Sequence, residues 1–284
     1  MVDDILTVTN VKDTATVNEL VNTFIDQKKL RLSHAKCVRI HLGKGHLNCP
    51  QLKVHEKDMR EAEREKYLGD IVDQTGKINV TIHKRVSKGE GIKTEIVSII
   101  NEIPFGKHKV EVALKLREAM LVNGILFNSE AWHGVTSAQI VKLEKVDEAL
   151  LREILQAHSK TPTEFLYLET GTVPLRWIIA QRRINFMKHI VNRHDEELLK
   201  KVFLAQREQP TRGDFVELVT KDLKDIGITY EEAITNQITK QKLKELSKLA
   251  AFTQLLKEQK EHSKVRQIKY EDLTLQPYLK NEIF

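Results

Sequence analysis

Two adjacent aspartates, Asp3 and Asp4, stand near the start of the chain, just before the apolar and β-branched run 5–9. Carboxylates are costly beside buried strands, so an acidic pair in this setting calls for a compensating partner. A tight turn held by flanking strands would present both carboxylates to a divalent cation. The pattern therefore indicates a metal-binding β-turn, and the alternative is an ordinary acidic surface turn.

The elements that would position this turn follow in order. Thr16 and Glu19 have the spacing of a capping box, and apolar residues recur at helical spacing after it, which predicts a helix. A basic segment, residues 29–40, then leads into a strand and carries Lys36. Residues 65–72 read as a further strand, which ends at the turn 74–76.

This series resembles the second half of the palm in reverse transcriptases of non-LTR (LINE-type) retrotransposons. Three motifs of that family carry the resemblance, in the family's order. The first is an aromatic-x-Asp-Asp catalytic turn, matched by Met1-Val2-Asp3-Asp4 with Met1 in the aromatic position. The second is a leucine-x-leucine…lysine motif, matched by Leu30, Leu32 and Lys36. The third is a primer-grip strand, matched by Lys66-Tyr67-Leu68-Gly69.

The resemblance implies RNA-directed DNA polymerisation on an RNA template, with an RNA–DNA or DNA primer–template duplex as partner. Asp3 and Asp4 would bind Mg²⁺, with Asp3 the more direct ligand. Lys36 would face the triphosphate and assist the departing pyrophosphate. Lys66 and the segment from Tyr67 to Gly69 would brace the primer end, where the glycine admits a close backbone approach.

A looser resemblance, to thumb and connecting helices, reaches about residue 195. Its motifs are Leu116-Arg117 with Asn123, Glu130 and Trp132; Leu143-Glu144 with Asp147; Leu166 to Gly171; Pro174-Leu175; and Arg182-Arg183. We therefore expect a mainly helical α+β chain. It would comprise a partial palm (1–77), a helical thumb and connection (78–195) and a C-terminal helical extension (196–284).

The chain begins at the catalytic turn, so the family's fingers and the strand with another metal-binding aspartate would lie upstream. Two-metal phosphoryl transfer needs carboxylates from two strands to hold the cations about 3.5–4 Å apart. We therefore expect no DNA synthesis by this chain alone, and we expect the upstream half of the polymerase as a partner if it is encoded.

Two basic clusters are the preferred nucleic-acid contacts: Lys84-Arg85 with Lys88, and Arg182-Arg183. The net charge of +6 and the pI near 9.1 favour a polyanionic partner. A thumb helix on a primer–template duplex contacts phosphates and 2′-hydroxyls, which requires cations without strict spacing. The alternative for each cluster is a solvated helix face. Further clusters of this kind lie at 107–109 and 240–248.

An alternative interpretation of the segment 37–49 is a zinc site, because Cys37, His41, His46 and Cys49 supply two thiols and two imidazoles. The spacing lacks the usual two-residue interval between thiols, which favours a buried cysteine and exposed histidines. With only two cysteines, no signal peptide and no stretch that spans a membrane, we expect an intracellular protein, nuclear or cytoplasmic.

Beyond Gly76 the pattern predicts helices almost throughout. The expected segments are 79–103, with Gly89 and Gly91 as a kink or break, then 107–132, a helix capped by Thr136 or Ser137, 161–171, 174–190, 196–207, 214–226 and 230–261. Two functions without chemistry remain as alternatives: a helical nucleic-acid-binding module, and a helical interaction protein.

Overall fold

The chain is mainly helical and carries a few very short strands, which confirms the predicted α+β, mainly α class. A computed structural model describes residues 6–30, 33–42, 51–54, 57–104, 108–235, 238–262 and 268–279. The chain divides into two compact units, residues 1–81 and 82–284. No helix within these described ranges is long and apolar enough to cross a membrane.

The described part of the first unit combines a helix with three two-stranded sheets. Helix α1 is Thr14–Gln27, and the side-chain amides of Asn18 and Asn22 donate to the Lys53 carbonyl at 3.0 and 2.9 Å. The strand pairs are β1 (Val38–Arg39) parallel with β4 (Arg60–Glu61), β2 (Lys53–Val54) antiparallel with β3 (Lys57–Asp58), and β5 (Arg64–Tyr67) antiparallel with β6 (Asp70–Asp73).

The start of α1 differs from the predicted capping box. The helix begins at Thr14, after the 3-10 turn Val11–Asp13, so Thr16 lies within its first turn. The Thr14 hydroxyl donates to the Asn10 carbonyl at 2.8 Å, which fixes the lead-in turn. The run 5–9, which was expected to provide a strand beside the acidic turn, forms neither helix nor strand in its described residues 6–9. Val8 is 80% exposed there, and a run without a neighbouring strand cannot form a ladder.

The second unit is a helical bundle. Its helical segments are α2 (Asn79–Glu102, which begins at the end of the first unit), α3 (Lys109–Leu116), a π-helical stretch (Arg117–Val122), α4 (Asn123–Ile125), α5 (Ser137–Leu155), α6 (Thr163–Thr170), α7 (Leu175–Val191), α8 (Leu198–Glu208), α9 (Phe215–Ile226), α10 (Tyr230–Ile234) and α11 (Lys240–Gln259).

Helix α7 is the centre of this bundle, because α5, α8, α9, α10 and α11 all pack against it. It is buried on several sides, which is why its apolar residues do not form a single stripe. Its buried side chains are Leu175, Trp177, Ile179, Ala180, Arg183, Ile184, Met187 and Ile190. The helices after residue 195 thus share one core with the preceding ones, while the division into thumb and extension remains a prediction.

Three predicted helix boundaries are confirmed. Thr136 caps α5 in a capping box with Gln139, Pro174 stands at the N-cap of α7, and Gly171 ends α6 at φ +65°. A Cβ on Gly171 would lie 2.1 Å from the Thr274 carbonyl carbon. Glycine is therefore required both for the left-handed turn and for the approach of the C-terminal segment.

Two details of the predicted helix pattern are wrong. The helix predicted over 79–103 is present as α2, but it is continuous, so Gly89 and Gly91 do not break it. A Cβ on Gly89 would lie 2.9 Å from Ile125 Cγ2, so this glycine serves close packing between helical segments. The single helix predicted over 230–261 is two, because the Thr239 side chain accepts from the Lys242 amide and starts α11 afresh.

Candidate nucleic-acid interface

The predicted catalytic residues lie in the first unit. Asp3 and Asp4 fall outside the described residues. Lys36 is exposed at the end of the 3-10 turn His34–Lys36, and Cys37 separates it from β1. Across the described ranges, no group of three or more His, Cys, Asp or Glu side chains is close enough to hold a metal ion.

The predicted primer-grip strand is a β-hairpin. Lys66 and Tyr67 end β5, and Leu68 and Gly69 form the two-residue loop to β6, at φ +46° and +91°. Positive φ at both loop positions suits the right-handed twist of a two-residue hairpin. The glycine is thus explained by the turn, and Leu68 extends into solvent, 60% exposed.

The proposed zinc ligands are only partly within the described residues. The Cys37 thiol donates to the Ser33 carbonyl at 3.3 Å, and burial raises its pKa, which disfavours the thiolate that zinc requires. His41 is half-buried and described, whereas His46 and Cys49 lie outside the described residues. Nothing in the described segment favours zinc over a structural cysteine.

The two basic clusters meet on one short segment, residues 123–128, which we call the corner segment. Arg85, on α2, donates from Nη1 to the Gly124 carbonyl at 3.4 Å, and its guanidinium carbon lies 5.3 Å from the Phe127 ring centroid. Arg182, on α7, donates to the Leu126 carbonyl and, at 2.9 Å, to Asn123 Oδ1. Arginines from two helices that are far apart in sequence thus donate hydrogen bonds to the backbone of the same segment.

Lys88 also reaches the corner segment. A Cβ on Gly124 would lie 3.9 Å from the Lys88 ammonium, so this charge sits directly beside the segment. Lys84 is one turn earlier on α2, and both lysines are exposed. Among the described residues, neither forms an ion pair.

The arginines differ from the lysines in burial. Arg85 is buried, and Arg182 is half-buried. Burial lowers the pKa of Arg182, and the Glu130 carboxylate offsets only part of that effect. Arg182 stays charged at neutral pH because an arginine pKa is so high. The result is a positive patch in which the arginines hydrogen-bond to the backbone of the corner segment and the lysines face solvent.

Arg183 does not join this patch. It is 4% exposed, its Nη2 donates to Asp222 Oδ1 at 3.1 Å, and its Nε lies 2.7 Å from Oδ2. Burial lowers the pKa of Arg183 and raises that of Asp222 to about 7, so desolvation outweighs the attraction between them. Arg183 therefore pairs with α9 and contributes no described contact to the corner segment.

The bundle core holds a buried ionic cluster that the sequence did not predict as such. Arg117 donates to both Asp147 oxygens at 2.6 Å, and the Tyr167 hydroxyl donates to Oδ2 at 3.2 Å. Nearby, the Arg176 backbone amide and Nε donate to Glu144 at 3.1 and 3.0 Å. All of these residues except Arg176 belong to the looser motifs and are buried. Their engagement inside the fold assigns them to structure.

One signal in the sequence could have revealed this cluster. Glu144 and Asp147 lie at helical spacing with the buried Leu143, Val146 and Leu150 of α5, so their carboxylates fall on the apolar face. Carboxylates on a core-facing stripe need buried cationic partners. The pattern predicts that such partners exist, although it does not identify Arg117 or Arg176.

A groove of about 760 Å³ opens among α5, α7, α9 and α11. It is lined by apolar side chains, including Trp177 and Leu246, and by the Arg183–Asp222 pair. Exposed lysines, Lys221 and Lys257, stand among its lining residues.

Comparisons of the chain with protein-family models, with curated proteins and with solved structures gave no match. The assignment of a function therefore depends on the geometry described above and on the motifs of the sequence.

Proposed function

We propose that the chain is part of an RNA-directed DNA polymerase of the non-LTR retrotransposon type, and that its second unit binds the sugar–phosphate backbone of a primer–template duplex. The observation that carries the proposal is the convergence of Arg85, Lys88 and Arg182 on the corner segment, with the exposed Lys84 one turn away from Lys88 on α2. Contacts to the sugar–phosphate backbone need positive charge that phosphates can reach, without recognition of base edges.

Within this patch the side chains have separate roles. Arg85 and Arg182 hold the backbone of the corner segment, so their positions are fixed by hydrogen bonds to carbonyl groups. Lys84 and Lys88 supply mobile ammonium groups that phosphates can reach from solvent. Arg183, buried with Asp222, is left out of the proposed contact surface.

The proposal gives the first unit the chemical part. Asp3 and Asp4 would hold Mg²⁺, Lys36 would face the triphosphate, and the hairpin that ends at Lys66 to Gly69 would brace the primer end. Mg²⁺ would supply charge neutralisation on the reacting phosphates. Because two-metal phosphoryl transfer needs carboxylates from two strands, and Asp3 and Asp4 belong to one turn, we propose that the chain alone binds nucleic acid without synthesising DNA. The same proposal places the protein in the nucleus or cytoplasm, where its template is found.

A helical nucleic-acid-binding module without any chemistry is the second candidate. It is favoured by the position of the patch, whose described contacts lie wholly within residues 82–284 and need no residue of the first unit. Both candidates use the same patch, and metal-dependent nucleotide binding separates them, because only the polymerase requires it.

The test is binding of the full chain to a labelled RNA–DNA duplex, measured by fluorescence anisotropy. Lys84→Gln with Lys88→Gln should weaken binding, because each lysine neutralises phosphate charge. The matched control is Lys221→Gln with Lys224→Gln, which removes the same charge from exposed positions on α9. Equal losses in both double variants would show that only net charge matters, and would overturn the assignment of the patch.

Primer extension with Mg²⁺ tests the chemical part separately. The purified chain should give no extension above background. Extension that is lost on Asp3→Ala would overturn the proposal that the chain alone is inactive, and would establish the catalytic turn.

A further inference from the structure

Phe127 is unusually exposed for an aromatic side chain in a well-packed unit. It lies in the corner segment, and 47% of its surface reaches solvent, although its neighbours Ile125 and Leu126 are fully buried. The next residue, Asn128, adopts φ +60°, so the chain reverses direction immediately after the ring. A single exposed apolar side chain is common on protein surfaces, so the significance of Phe127 depends on the groups that surround it.

The ring is supported from within the protein. The Arg85 guanidinium lies 5.3 Å from its centroid, in the geometry of a cation–π contact, and is buried. Arg85 is in turn held by the Gly124 carbonyl of the same segment. The ring is therefore held in place by a fixed group and still presents nearly half of its surface outward.

The surroundings of the ring are cationic. Lys88 lies beside Gly124, and Arg182 binds the backbone immediately before Phe127. An aromatic ring flanked by lysine and arginine is the combination with which proteins bind single-stranded nucleic acid, where the ring stacks on a base and the cations contact phosphates. A base within a duplex cannot stack on a protein ring in this way, because both of its faces are already covered.

We infer that Phe127 stacks on an unpaired base, so that the patch binds a duplex at a junction with single-stranded nucleic acid. The inference rests on the proposed function and narrows it, because it names an unpaired base as part of the ligand. The lysines contact the backbone of either form, whereas Phe127 contributes only when an unpaired base is present.

The experiment compares two labelled RNA–DNA duplexes, one blunt and one with an unpaired overhang, against the full chain. Phe127→Leu keeps an apolar side chain but removes the aromatic face. It should weaken binding of the overhang probe by about 5- to 100-fold and leave the blunt probe unchanged. Phe127→Trp should retain overhang binding, and its added fluorescence should be quenched by the stacked base. Thermal melting verifies that each variant folds.

The matched control is Phe24→Leu on α1, since Phe24 is similarly exposed at 45%. It should leave both affinities unchanged. If Phe127→Leu binds both probes like the parent, or loses affinity for both equally, stacking is overturned. A loss of affinity in the Lys84/Lys88 variant would in that case still support the proposed function. If the lysine variant binds both probes like the parent, the proposed function fails first.

Discussion

The buried pair Arg117–Asp147 makes a strong prediction about stability. Asp147 is fully buried, Arg117 is 4% exposed, and the two are joined by two hydrogen bonds of 2.6 Å. Burial alone would lower the pKa of Arg117, but the Asp147 charge and hydrogen bonds offset this and raise it. The carboxylate therefore offsets the cost of burying the charged guanidinium in the core.

Asp147→Asn keeps the shape of the side chain and removes its charge. One amide position can no longer accept from Arg117 or Tyr167, so a buried cation loses its partner. Removal of one member of such a pair costs about 3–5 kcal/mol. In a unit of this size that corresponds to a decrease in Tm of roughly 6–20 °C.

Urea unfolding and calorimetry would measure the effect. The control is Glu196→Gln, which breaks an ion pair with Lys201 in which the Glu196 side chain is 91% exposed. This change should lower the free energy of unfolding by less than about 1 kcal/mol. Arg117→Met combined with Asp147→Leu and Tyr167→Phe should recover most of the loss, because no charge is then stranded. An Asp147→Asn variant as stable as the parent would refute the assignment of this cluster to structure.

Three further predictions concern the second unit. Gly89→Ala should lower the free energy of unfolding by about 1–3 kcal/mol, because its Cβ would lie 2.9 Å from Ile125. Gly91→Ala has open space around its Cβ and should raise the free energy of unfolding by up to about 1 kcal/mol. Urea titration should therefore give changes of opposite sign for the two variants, and changes of equal sign would refute the packing role of Gly89. Gly171→Ala should cost about 1–3 kcal/mol from its φ of +65° and should expose the segment 268–279 to limited proteolysis; an unchanged digestion pattern would contradict the close packing against Thr274. Because the pKa of Asp222 is raised from 3.8 to about 7, the stability gained from its protonation is complete below pH 3.8 and is lost as the pH rises through 7. Urea titrations from pH 5 to 8 should show a decline in the free energy of unfolding, which Asp222→Asn should reduce. A rise in the free energy of unfolding that this variant leaves intact would contradict the pKa shift.

Helix boundaries in the second unit were predictable because their causes are local. The Thr136 cap, the Gly171 end and the Pro174 start each depend on residues within one turn. The break before α11 was missed because a long apolar period masked the Thr239 cap. The hairpin at Leu68 was missed because a leucine at φ +46° runs against its backbone preference.

The partners of charged residues were not predictable in the same way. Arg85 binds a carbonyl 39 residues away, and Arg182 binds one 56 residues away, so their burial depends on how helices pack. In the sequence, Arg182 and Arg183 are equivalent members of one cluster. In the fold, one supports the corner segment and the other is buried with Asp222.

The most direct test of the central claim is the salt dependence of binding to the RNA–DNA duplex. The logarithm of the association constant should fall linearly with the logarithm of salt concentration. Lys84→Gln with Lys88→Gln should reduce the magnitude of that slope by about 2, one for each lost phosphate contact. A slope identical to that of the parent would contradict the claim that this patch contacts the phosphate backbone.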